Sequence, residues 1–70
     1  MSKLYLVTMD QPRDPSKDCA VRASSPSSAA AEALRRWRAC GVTENPEKLL
    51  EGVLVAEIAA LHRVSAAEVL

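Results

Sequence analysis

NPEKLLEGVLVAEIAALHRV, residues 45–64, holds the choice on which the fold turns. Asn45 stands where a helix N-cap belongs, Pro46 at the first helical position and Glu47 in the first turn. Leu50, Val53, Leu54, Ile58 and Leu61 then keep helical spacing for three turns, which predicts a helix running from Pro46 through Leu61. Gly52 and the β-branched Val53 and Val55 argue the other way, and residues 52–58, GVLVAEI, also read as a third strand. The helical reading is preferred because Asn45 and Pro46 open it. It gives an α+β domain in which a two-stranded antiparallel hairpin packs against two helices and a short C-terminal helical turn. The alternative gives β-β-α-β, with residues 52–58 as a third strand.

Working back from this stretch, SSPSSAAAEALRRWRACG (24–41) offers a serine N-cap, Pro26 at the first helical position and Gly41 as a stop, predicting a helix over 26–40. Ala30, Ala33, Leu34, Trp37 and Cys40 form its apolar stripe, while Glu32 can pair with Arg35 and Arg36. Lys3–Met9 reads as one strand. Cys19–Ser24 reads as another, with Cys19, Val21 and Ala23 on one face and Arg22 and Ser24 on the other. Between them DQPRDPSK (10–17) carries two prolines and predicts an eight-residue exposed loop. A helix returning antiparallel along the second strand brings Cys40 back toward Cys19, both expected inward-facing and reduced. At the other end Ser65 and Glu68 have capping-box spacing, predicting a last short helical turn.

Seventy residues make a single domain, 1–70, and a chain of this size buries only about 60% of the surface its unfolded form exposes. Phe is absent and Trp37 and Tyr5 are the only aromatics, so the core is aliphatic and small. Small domains add a disulfide, a metal or a partner. Cys19, Cys40 and His62 are too few for a closed zinc site, so no metal or cofactor is expected and a partner is the option left. His62 is the lone imidazole and has no neighbouring nucleophile motif. The serines cluster at caps, and two glycines cannot form a phosphate-cradling loop. The chain is therefore not expected to be an enzyme. Val53–Leu61, the longest apolar stretch, is interrupted by Glu57 and falls well short of a membrane span, and MSKLYLVTMD lacks the pattern of a secretory signal. A cytoplasmic protein is the expectation.

The zero net charge is unevenly spread. Residues 1–40 carry seven bases against four acids, +3, and residues 41–70 two bases against five acids, −3. Arg35, Arg36 and Arg38, joined by Arg22 from the second strand, are the candidate partner-binding residues, because arginine forks suit carboxylates and are enriched in hot spots. The plainer alternative is a solvated helix face. With Val55 and Ala59 off the main stripe, a helical 50–61 is apolar nearly all round, which predicts a homodimer or a protein partner against its free side.

EIAALHRVSAAEVL (57–70) resembles the helix-turn-helix of bacterial repressors, with Ala59, Val64 and Ser65 at the turn and Val69 following. It departs from them where Arg63 replaces the turn glycine and where Ala66, Ala67 and Glu68 offer no donor to a base edge. Direct nucleic-acid binding is accordingly not expected, and a small DNA-binding regulator is the runner-up reading. The hairpin followed by an Ala/Arg-rich helix, residues 3–40, resembles small phage and mobile-element proteins that include anti-CRISPR inhibitors. That resemblance implies a non-catalytic, stoichiometric inhibitor that binds a subunit of a CRISPR effector complex in the host bacterial cytoplasm. Nine bases against nine acids make a poor DNA mimic, so steric occlusion through a protein interface is the expected mode. A self-assembling structural phage protein is a further alternative.

Overall fold

The computed structural model describes residues 2–70 and orders them as β1 (Lys3–Asp10), β2 (Arg13–Ala23), α1 (Pro26–Ala39), α2 (Pro46–Glu51), β3 (Val53–Glu57), β4 (Ala60–Arg63) and α3 (Ala66–Val69). The four strands form one antiparallel sheet in the order β2-β1-β3-β4. The α+β class holds, with a sheet of four strands where the preferred reading has two.

Strand alternation sorts the apolar residues onto two faces. Tyr5, Val7 and Met9 of β1, Val21 of β2 and Val53 and Val55 of β3 are buried beneath the helices. Alanine builds the helix side of this core: Ala29, Ala30 and Ala33 are fully buried, so α1 lies close to the sheet, with Leu34 and Trp37 beside them. Leu49 and Leu50 of α2 and Val64 close the rest of the core. Burial is worth roughly 1.5–3 kcal/mol for a Leu or Val, so this one face supplies most of the folding drive.

The helix over 26–40 forms as Pro26–Ala39. Ser25 Oγ accepts from the Ser28 amide at 3.2 Å, and the C-terminus closes in a Schellman motif. In that motif the Gly41 amide donates to Arg38 O at 3.1 Å and the Val42 amide to Trp37 O at 3.0 Å, with Gly41 at φ +96°. Of the predicted stripe, Cys40 alone is exposed, because it caps the helix instead of extending it.

The expected loop over 10–17 is instead a two-residue turn, Gln11–Pro12 with a cis bond, followed directly by β2. β2 accommodates Pro15 because it is an edge strand with a bulge. Val7 pairs with Cys19 and Met9 with Asp14, which leaves residues 15–18 opposite Thr8 alone, outside the regular ladder.

The helix expected from Pro46 through Leu61 stops after six residues. Asn45 caps it as predicted, its Oδ1 accepting from the Glu47 amide at 2.8 Å, but Gly52 ends it and the alternative reading of 52–58 as a strand is the correct one. A two-residue turn, Ile58–Ala59, then leads into β4, which neither reading anticipates. Burying Val53 and Val55 against β1 outweighs helical spacing, and Ile58 and Leu61, the last two members of that spacing, end up exposed. Ser65 precedes α3, yet its side chain makes no capping hydrogen bond, so the capping box does not form.

Candidate protein-binding face

All three helices leave the second face of the sheet bare. Across its middle runs one row of residues from all four strands: Ala20 on β2, Leu6 on β1, Ala56 on β3 and Leu61 on β4, each paired with the next. Leu6 is 45% and Leu61 71% exposed, and Leu4 beside them is 53% exposed. Ile58, wholly exposed in its turn, joins Leu4, Leu6, Ala20 and Ala56 in lining an open groove of about 360 Å³. Contiguous apolar exposure on this scale makes this face the candidate binding surface. The sequence signal for it is present: LYLV in β1 and VLVA in β3 are apolar on both faces, the pattern of strands covered on two sides.

The far end of this face is charged and balanced. Arg63 Nη2 donates to Asp10 Oδ2 at 3.2 Å, and Arg13 grips Asp18 with both terminal nitrogens at 2.8 Å. The Arg13 fork holds Asp18 below the usual carboxylate range. On the helix side Lys17 and Ser16 bond Asp14 and hold its carboxyl at about 2. Lys3, paired with Glu57 at 3.0 Å, is pushed up by that bond.

The four candidate arginines do not converge. Arg35, Arg36 and Arg38 lie on the exposed side of α1, whereas Arg22 points from the bare face of the sheet. Glu32 pairs with Arg35 and, at 3.5 Å, with Arg36. Arg36 also donates to Ala20 O at 3.0 Å and Trp37 Nε1 to Lys17 O at 2.9 Å, so α1 occupies two carbonyls of the exposed β2 edge. Among the described residues Arg22 and Arg38 have no ion-pair partner.

The remaining candidates take plain structural places. Cys19 is half-buried and Cys40 exposed, both free; this corrects the expectation that both face inward, and burial pushes the Cys19 thiol up. His62 is half-buried with Nε2 lacking a hydrogen-bond partner. Among the described residues no three His, Cys, Asp or Glu side chains come together as metal ligands, and no helix is long and apolar enough to cross a membrane. The helix-turn-helix resemblance is overturned: residues 57–63 belong to the β3–β4 hairpin, leaving only the four-residue α3 as a helix in that segment.

The fold is thus an antiparallel sheet with helices on one side and an apolar face on the other. Comparison with protein-family models, with curated proteins and with solved structures gives no match.

Proposed function

We propose that this chain is a non-catalytic protein-binding module and that the bare face of its sheet is the binding surface. The observation that carries this reading is the row Ala20, Leu6, Ala56 and Leu61 with Leu4 and Ile58 beside it. Apolar side chains at these positions are not needed for the core, which lies on the other face. Exposed to water they cost solubility, and docking against a protein surface recovers about 25 cal/mol for each Å² covered. The absence of Phe and the single Trp, buried in the core, weigh against single-stranded nucleic acid, which sheet faces bind by stacking bases on aromatics. Arg22 and Arg63, on the two edge strands of this face, supply charged rim contacts.

The resemblance of residues 3–40 to anti-CRISPR inhibitors supplies the partner class to test first, a CRISPR effector subunit in the bacterial cytoplasm blocked by steric occlusion. The test is co-purification from the native host with the full chain as bait, beside Leu6→Glu and a triple Arg35, Arg36 and Arg38 to Ala variant of verified fold. A stoichiometric partner retained by the triple variant and lost by Leu6→Glu is the expected result. Equal recovery by Leu6→Glu overturns the assignment of the surface, and selective loss with the triple variant moves the site to α1.

A further inference from the structure

We infer that the bare face is self-complementary and that its occupant is a second copy of this chain, a conclusion that rests on the reading of that face as a binding surface. The central row alternates small and large across the sheet: Ala20, Leu6, Ala56, Leu61. With four strands, reversing the row turns small-large-small-large into its complement. A two-fold axis lying between two stacked sheets and parallel to the strands performs that reversal. It sets Leu6 of one copy over Ala56 of the other, and Leu61 over Ala20. All four contacts of the row then pair a leucine with an alanine, so the layers interdigitate as the inner faces of a β-sandwich do. The same operation places apolar end on apolar end and charged end on charged end. The charged end carries Arg13 and Arg63 with Asp10 and Asp18, so it sums to zero and opposes no block of like charge.

The area suffices. Leu4, Leu6 and Leu61 at 53%, 45% and 71% exposure, with the fully exposed Ile58, offer on the order of 500 Å² of apolar side chain. With the alanines and the rim this approaches the roughly 800 Å² per partner of a stable interface. The edges do not compete for the same contact: on β2, Arg36 and Trp37 already bond two edge carbonyls, and β4 is only four residues long. The assembly is a four-layer α/β/β/α sandwich with the arginines of α1 on both outer surfaces.

Sedimentation equilibrium of the full chain, from low to high micromolar, tests this with two variants. Ala56→Leu sets leucine against leucine and should weaken association at least about tenfold. Adding Leu6→Ala restores a small-on-large contact and should return most of the lost affinity, which no general loss of surface hydrophobicity would do. Thermal transitions confirm that each variant is folded. A wild type that stays monomeric throughout overturns the inference, as does a dimer indifferent to Ala56→Leu or one that Leu6→Ala weakens further. A monomer that still captures a different protein through Leu6 refutes the second copy alone. If neither self-association nor capture depends on Leu6, the binding-face reading falls as well.

Discussion

Trp37 and Lys17 are joined across the α1–β2 interface, the indole Nε1 donating to the Lys17 carbonyl at 2.9 Å while the ring packs into the core at 6% exposure. One side chain therefore both fills the core and occupies a free acceptor in the bulged part of β2. Trp37→Phe keeps most of the ring and loses the donor, and should cost about 1 kcal/mol. Trp37→Ala also leaves a cavity and should cost about 3–5 kcal/mol. Urea titration of both variants separates the two contributions; equal losses would mean that the hydrogen bond, and not the ring, holds α1 to the sheet.

Gly52 is the second fixed point. A Cβ there would collide with Gln11 O, in the same place where Gly52 O accepts from the Asp10 amide at 2.7 Å. Gly52→Ala should cost about 1–3 kcal/mol by forcing the β1–β2 turn away from the start of β3. At Gly41 a Cβ meets nothing and only the positive φ matters, so Gly41→Ala should cost about 1 kcal/mol and Gly41→Asn less. Thermal melts of the three variants should rank them in that order.

These contacts also mark how far the sequence could be read. Ser25, Pro26, Gly41, Asn45 and Pro46 act within a few residues of themselves, and the caps they predict are the ones that form. Gly52 ends α2 where the apolar spacing continues to Leu61, and its constraint comes from Gln11, 41 positions away and invisible to local pattern. Residues 53–57 become a strand because β1 has a second edge to pair, again a long-range cause. The Ile58–Ala59 turn holds neither Gly nor Asn, so it sends no hairpin signal. Pro15 misleads in the opposite sense, since a proline in a bulge of an edge strand breaks nothing. The arginines were visible as a cluster in sequence, but the sheet separates Arg22 from the other three. The bare face was legible only as strands apolar on both sides, a signal that a helical reading of 50–61 dissolves.

The surface pair Asp14–Lys17 sets an acid-side dependence. The Lys17 ammonium at 2.6 Å, with Ser16, holds the Asp14 carboxyl down from 3.8 to about 2. A depressed native value means that the pairing stabilises the fold above the ordinary carboxylate range and is lost as pH falls through about 2. Between pH 4 and 2 the melting temperature of Asp14→Asn should therefore fall less than that of the wild type. Carboxyl NMR should place the Asp14 midpoint near 2, and a midpoint near 3.8 would deny the pairing.

The two thiols should behave differently. Cys40, exposed at the end of α1, should react readily with a bulky maleimide. Cys19, half-buried and with its thiol pushed up by burial, should react at least about tenfold more slowly, because the thiolate is the reactive form. Equal rates would show that β2 does not hold Cys19 against α1.

Leu6 and Val7 are chain neighbours that point to opposite faces, one 45% exposed and the other 0%. The Val7 face builds the fold, and the Leu6 face is the proposed binding surface. The most direct measurement is denaturant stability of Leu6→Asn and Val7→Asn at a concentration low enough to keep the chain monomeric. Leu6→Asn should lose no more than about 1 kcal/mol, as for a partly exposed site. Val7→Asn should lose several kcal/mol, comparable to the whole stability of a domain this size. Comparable losses for the two variants would mean that both faces belong to the core and that neither is free to bind.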